Sequence, residues 1–410
     1  MKRLALFVLL LLLLSACTPA PAVPTSTHTP LENTPTSVPS LEPTHTPQAT
    51  VPSTPDSDNG NKENVFDISI TKITNNTAQD WDPQVSDDYV VWYGYEDGDA
   101  EIYLYQISSG ITTQVSNNMS DDWGPKIYGD YVVWEGKEDG DWEVYLYQIT
   151  SSITTQISNN TADDNYPQIS GDYVVWSGIK DGDKEIYLYQ ISSGITTQIS
   201  NNTARDLYPQ VNGDYVVWYG YADWEDTEVY IYQISSTITH VTDNLADDLW
   251  PQISGDYVIW NSDADESSEI YLYQLSTKTI TQISNNKNAY WFPHINEDSV
   301  VWSEYTNGGD MEIYLYQIKN DMTTQVSFYS YGDYLPHVHG DFVVWQRFET
   351  RGCGIYLYQI SSGMTTQISD KMSGDSHPQV YGNNVVWFGD ATGEYAYEIF
   401  LATIHENPSP

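Results

Sequence analysis

The stretch GDYVVWSGIKDGDKEIYLYQISSGITTQISNN, residues 171–202, recurs along the chain in barely altered copies. One tryptophan marks each copy: Trp92, Trp134, Trp176, Trp218, Trp260, Trp302, Trp345 and Trp387, spaced by 42 residues with a single interval of 43. One proline keeps the same beat: Pro83, Pro125, Pro167, Pro209, Pro251, Pro293, Pro336 and Pro378. No other proline falls between residues 56 and 407. A fixed period of this length is the mark of a repeat architecture, built from units that cannot bury their apolar faces alone.

Residue types decide which architecture. YVVW and IYLYQI are β-branched and aromatic, and no segment shows apolar residues at i, i+3 and i+4. Four short strands fit each copy (PQIS, DYVVW, EIYLYQIS and ITTQIS, here strands A to D). Gly-Asp, an acidic turn with glycine, and Ser-Ser-Gly separate them, all residues that suit turns. Along strand B of the third copy, Tyr173 and Val175 face one way and Val174 and Trp176 the other. Both faces are apolar, so each sheet must be covered on both sides. Radial stacking of four-stranded blades does this and leaves only short edges. The last copy ends after its third strand, whereas FDISITKITNN at 66–76 aligns with the fourth strand of the others. The expected fold is therefore all-β: an eight-bladed β-propeller of four-stranded antiparallel blades, the last closed by the N-terminal strand.

Trp in strand B, the acidic turn and EIYLY in strand C resemble the TolB-type, WD40-like propeller repeat. The resemblance covers about residues 66–404 and implies a fold shared by bacterial surface proteins. The separate α/β domain of TolB itself has no counterpart here, and the Trp-Asp and Gly-His marks of eukaryotic WD40 repeats are absent.

The N-terminal residues address the chain. Met1-Lys2-Arg3 precedes an apolar run from Leu4 to Leu14, too short to span a bilayer. Leu14-Ser15-Ala16-Cys17 resembles the bacterial lipobox, which implies a signal peptide at 1–16 and a lipidated Cys17. Residues 18–60 hold ten Pro and ten Thr and almost no large apolar side chain, so residues 17–60 read as a disordered stalk. The propeller is assigned to 61–410. The expected location is extracytoplasmic, anchored by lipid to the cell membrane or outer membrane. Net charge is −42, and beyond residue 65 there remain 12 basic against 52 acidic residues. Such a surface repels phosphates, so nucleic acid is excluded as a partner. Cys353 in TRGCG is expected to be incidental, a reactive surface thiol being the alternative.

Copies within one chain separate scaffold from specificity: positions that vary are not required by the fold. Strands A to D place the short A–B and C–D turns on one plain face of the disc and the longer, variable B–C and D–A loops on the other. Six tryptophans outside strand B (Trp81, Trp123, Trp142, Trp224, Trp250 and Trp291) all fall in those variable loops. Beside them stand Asp80, Asp82, Asp121, Asp122, Asp247 and Asp248. Flat rings beside carboxylates suit sugars, whose apolar faces stack while hydroxyls donate hydrogen bonds; local lids over blade tops and anchors for a protein partner are the alternatives. The ligand residues expected are those six tryptophans with Asp121, Asp122, Asp247 and Asp248. No cofactor is expected, although DGD at 97–99, 139–141 and 181–183 would offer calcium oxygen ligands; an acidic hairpin turn explains them equally. His294, His337 and His339, with His377, gather on strand A of neighbouring blades and are weak metal candidates. This cluster resembles the His and Gln metal site of oligogalacturonate lyases, which implies a polysaccharide-acting lyase or hydrolase as the alternative function. No lipase-like, P-loop or dinucleotide motif occurs. The sequence thus reads as a monomeric, non-enzymatic binding or adhesion module for polysaccharide or a surface protein, or as an envelope scaffold.

Overall fold

The computed structural model describes residues 66–406, apart from positions 97, 138–139, 223–225, 235, 264–267, 285–289, 307, 330–331, 351, 370–373 and 391–395. Thirty-two strands, numbered in chain order, form eight separate four-stranded antiparallel sheets. In the first, β2 (Asp80–Ser86), β3 (Tyr89–Gly94), β4 (Glu101–Gln106) and β5 (Ile111–Gln114) lie in sequence order. The pattern repeats to the last sheet, where β30 (Ser376–Tyr381), β31 (Asn384–Asp390) and β32 (Tyr397–Glu406) are completed by β1 (Phe66–Lys72). β1 pairs with β32 from Phe66↔Glu406 to Lys72↔Phe400. The A strands touch in succession, and β30 touches β2, so they close a ring around a central channel. The protein is an eight-bladed β-propeller whose last blade is closed by its N-terminal strand.

The blade seams are filled from both sides, as two apolar faces per strand require. Val91, Ile102 and Leu104 of the first blade pack with Val132, Trp134 and Tyr145 of the second. All eight strand-B tryptophans are at most 1% exposed, and each stacks on a strand-C ring, as Trp176 does on Tyr187 at 5.8 Å. The D strands form the outer rim, and all of Ile111–Gln114 is exposed. On the plain face, Asp88 of the A–B turn accepts hydrogen bonds from the Ser108 amide and the Gln106 side chain, tying the two turns together. Cys353 is fully buried on strand C of the seventh blade, so it is no surface thiol.

A second repeated feature is polar. Asp80, Asp122, Asp164, Asp206, Asp248 and Asp333 open strand A, Asp375 immediately precedes it in the last blade, and all are at most 1% exposed. Trp92 Nε1 donates to Asp80 (3.1 Å), Trp260 Nε1 to Asp248 (3.0 Å) and Asn118 Nδ2 to Asp122 (2.8 Å). Across the seam, Glu101 of the preceding blade accepts from the Ser116 hydroxyl (2.5 Å) and the Asn118 amide (2.7 Å). The repeated Ser-Asn-Asn thus braces one carboxyl from each of two blades. Strand B leaves room with Gly136, where a Cβ would come within 2.1 Å of Asp122 Oδ1. The exceptions keep the chemistry. The sixth blade has Tyr290 at the aspartate position, and Trp302 Nε1 donates instead to Glu304 on strand B (3.1 Å). In the seventh, Arg347 stands in the glycine's place and grips Asp333 with two bonds of 2.7 and 2.9 Å.

Burial raises Asp80 from 3.8 to about 6, and Asp122 and Asp206 to about 7. Between those values the folded state retains protons the unfolded chain has released, so stability falls as pH rises from about 4 to about 7. The channel histidines act oppositely: burial holds His294, His337, His339 and His377 below their ordinary 6.5, so the unfolded chain takes up protons they refuse as pH drops below about 6.5. Asp164 and Glu228, raised to about 7, and Glu312, raised to about 8, add to the carboxyl side. The carboxyls outnumber the histidines, so calorimetry is expected to give a higher Tm at pH 5 than at pH 8. An equal or lower Tm at pH 5 would contradict the seam assignment.

Candidate functional site

Each strand A carries a bulge where the register slips, between Trp81 and Gln84 in the first blade and between Ser376 and Gln379 in the last. Two residues oppose one there: the repeat proline, which has no ladder N–H to lose, and the residue before it. That preceding residue takes positive φ in every blade: Asp82 (50°), Gly124 (61°), Tyr166 (59°), Tyr208 (51°), Trp250 (58°), Phe292 (56°), Leu335 (53°) and His377 (53°). Left-handed backbone is uncommon for non-glycine residues and costs on the order of 1 kcal/mol or more at each. Eight recurrences show that the scaffold imposes it. The side chain at this position differs in every blade save Tyr166 and Tyr208. A fixed, strained geometry therefore presents a variable ring of side chains at the channel mouth on the variable face.

Below this ring lies a cavity of about 370 Å³ lined by Trp81, Asp82, Trp123, Gly124, Lys126, Glu135, Tyr166, Gln168, Tyr208, Gln210 and His377, among others. Rings lining it touch one another and the neighbouring Trp250 and Trp142. Tyr166 and Tyr208 lie 4.4 Å apart, Trp250 contacts Tyr208 at 4.7 Å, and Trp123 pairs with Trp142 at 4.8 Å. Trp81 is wedged against Phe388 (4.9 Å) and Tyr397 (4.5 Å) of the last blade, so it also packs the closing seam. Lys126 Nζ lies 3.4 Å from Asp82, and Glu135 accepts from the Tyr166 amide at 2.9 Å. Burial raises the Glu135 carboxyl above the ordinary range.

Of the six loop tryptophans, Trp81, Trp123, Trp142 and Trp250 are partly buried at this end of the propeller. Trp224 lies outside the described residues, as does the side chain of Trp291. Asp121 and Asp247 strap the D–A loops, accepting from the Ala100 amide (3.1 Å) and the Thr227 hydroxyl (3.2 Å). Asp122 and Asp248 do not stand on the face: they are the buried seam carboxyls, which corrects their grouping with ligand residues. Tyr166, Tyr208, Lys126 and Glu135 were not singled out from the sequence. The signal that finds the first three is variation beside the invariant proline, and for Glu135 variation beside the invariant strand-B tryptophan.

The histidines divide. His294, His337 and His339 line a second channel cavity of about 260 Å³ with Gln84 and Gln379, whereas His377 lines the aromatic one. His294 Nδ1 accepts from the Val338 amide (3.2 Å), His337 from Val380 (3.3 Å) and His339 from Gly382 (3.0 Å). Each imidazole thus fastens its blade to the next, as Gln252 does through the Pro293 carbonyl (2.9 Å). Burial pushes His294 down to about 3 and His337 well below its ordinary value, so both stay neutral. Among the described residues no group of three or more His, Cys, Asp or Glu is placed to hold a metal. The one acidic turn described throughout, Asp181-Gly182-Asp183, is a tight hairpin: Lys180 pairs with Asp183 across positive-φ Asp181 (55°) and Gly182 (104°). Residues 97 and 138–139 of the other turns lie outside the described residues.

No family model matches the chain, and no curated protein is similar to it. Solved β-propellers are. The propeller domain of the Trilobed protease from Pyrococcus furiosus, with an open velcro topology, matches at TM-score 0.53 and 12% identity, over 72% of this chain and 99% of that one. A prolyl endopeptidase matches at 0.57 and 11%, over 76% of this chain and 54% of the peptidase. An oligogalacturonate lyase in complex with manganese matches at 0.53 and 11%, over 83% and 96%. At these identities the likeness is one of fold, and the TolB-type resemblance extends no further. The expectation that the chain is not an enzyme is overturned: its structural neighbours are peptidases and a lyase, so this fold gives no ground for setting catalysis aside. Nor do such matches establish an activity.

Proposed function

We propose that this protein binds carbohydrate at the aromatic mouth of its channel, displayed outside the cell by a lipid on Cys17 and the Pro/Thr-rich stalk. One observation carries the reading: the pre-proline bulge aims a variable, ring-rich set of side chains at one opening, while the repeated tryptophan, aspartate and Ser-Asn-Asn serve the seams. Rings interleaved with Asp82, Lys126, Glu135, Gln168 and Gln210 combine stacking surfaces with hydrogen-bonding groups, as sugar recognition requires. The acidic surface weighs against polyanionic ligands.

The full-length chain in detergent, probed on a glycan array, is expected to bind a related set of oligosaccharides. An empty array alongside capture of a surface protein would replace this reading with protein recognition. For the anchor, Cys17→Ser is expected to abolish labelling by a palmitate analogue, and undiminished labelling would remove the lipid from the account.

A further inference from the structure

The ring of bulky pre-proline side chains has one gap. Tyr166, Tyr208, Trp250, Phe292, Leu335 and His377 project from their bulges, Asp82 is smaller, and the second blade has Gly124. A Cβ built on Gly124 meets nothing within 4 Å, so the gap opens into the cavity and is not filled by a neighbour.

Two further positions depart from the repeat in the same blade. Two residues after Gly124, where other blades carry Gln84, Gln168, Gln210, Gln252, His294, His337 or Gln379, stands Lys126. On strand B, where the others have Tyr93, Ser177, Tyr219, Asn261, Ser303, Gln346 or Phe388, stands Glu135. All three line the same cavity, with Asp82 from the first blade. Lys126 lies 3.4 Å from Asp82, with side chains 26% and 37% exposed, so both remain open to a ligand. Three residues found in this blade alone thus converge on one spot. Neither seam packing nor the bulge needs them, since seven blades do without.

We infer that the Gly124 gap is a subsite for the vicinal hydroxyls of an uncharged sugar ring, with Asp82, Lys126 and Glu135 as its specificity-determining groups; this rests on the carbohydrate reading above. A hydroxyl both donates and accepts, so neighbouring hydroxyls satisfy a carboxylate and an ammonium together. The rings of Trp123 and Tyr166 flank the spot and offer the apolar sugar face a surface. A uronate fits poorly. Its carboxylate would meet two carboxyl groups for one ammonium, inside a domain with 52 acidic and 12 basic residues. A site lined for hydroxyls rejects ligands that leave its buried polar groups unpaired.

The repeat supplies its own test. Gly124→Tyr installs the side chain that the third and fourth blades carry at the same backbone geometry, φ 59° and 51° against 61°. The full-length chain is titrated by calorimetry with cello-, xylo-, manno- and galacto-hexaose, and with hexamers of galacturonate and mannuronate. Wild type is expected to bind at least one neutral hexamer tenfold or more tighter than either uronate. Gly124→Tyr is expected to lose that binding tenfold or more with its Tm held. Lys126→Gln, which restores the residue of five other blades, is expected to widen the gap between neutral and acidic ligands, because it removes the one ammonium a uronate could pair with. Unchanged binding by Gly124→Tyr while Trp250→Ala is weakened would overturn the subsite alone. Uronates bound as tightly as neutral sugars would overturn its specificity. Wild type binding none of the six would bring down the carbohydrate reading and this inference together. Should Gly124→Tyr not fold, unchanged selectivity in Lys126→Gln overturns the assignment.

Discussion

Removing residues 66–74 is expected to lower Tm by about 10 °C or more, or to drive the protein into aggregates. β1 supplies seven consecutive residue pairs to β32, and without them a ten-residue strand becomes an open edge. Long unpaired edges are templates for pairing with other chains. The deletion also breaks the polar brace of the closing seam. Thr74 donates to Glu398 at 2.6 Å, in the role Ser116 plays for Glu101, and Lys72 lies 3.0 Å from the same carboxylate. Glu398 would be left buried without either partner, and such groups cost about 1–3 kcal/mol or more. Differential scanning calorimetry and light scattering read both effects. A truncated chain that stays monomeric and melts within a degree or two of the parent would refute the shared blade.

The second large effect separates the two kinds of tryptophan. Trp176 is 1% exposed, stacked on Tyr187 and enclosed by Val133, Val144 and Leu146 of the previous blade. Trp176→Ala is expected to cost about 3–5 kcal/mol through the cavity it leaves. Trp250 is partly exposed and touches Tyr208 and Tyr219 at its blade's mouth. Trp250→Ala is expected to move stability little while weakening ligand binding tenfold or more, since aromatic anchors often contribute about 2 kcal/mol. Denaturant unfolding of both variants decides. If Trp250→Ala unfolds as readily as Trp176→Ala, the mouth rings are scaffold.

The fold was legible because its cause is local and repeated. YVVW alternates at period two with both faces apolar, which only a doubly covered sheet satisfies, and the misplaced fourth strand at 66–76 announces the closure. Strand A was less legible. It begins at Asp164 in the third blade, three residues before the PQIS read from sequence, because the bulge at Tyr166–Pro167 breaks the alternation that marks a strand. The same bulge hid the site: nothing in composition says that the residue before a proline will turn into the channel. Asp121 and Asp122 look alike in sequence, yet one step along a strand reverses the side chain. Asp121 straps the loop and Asp122 enters the seam. Recurrence of aspartate at position 122 of every blade but the sixth was the available sign that it is scaffold. His294 and His337 stand where other blades carry glutamine, and with His339 they fasten neighbouring blades as Gln252 does.

The most direct test of the central claim is calorimetric titration of the full-length chain with neutral hexasaccharides, wild type beside Tyr208→Ala. Tyr208 sits at the centre of the ring contacts, joining Tyr166, Tyr219 and Trp250, and it lines the cavity. Saturable binding to the wild-type chain is expected, with at least tenfold weaker binding to the variant at nearly unchanged Tm. Equal affinity in the two proteins, or no binding to either, would contradict it.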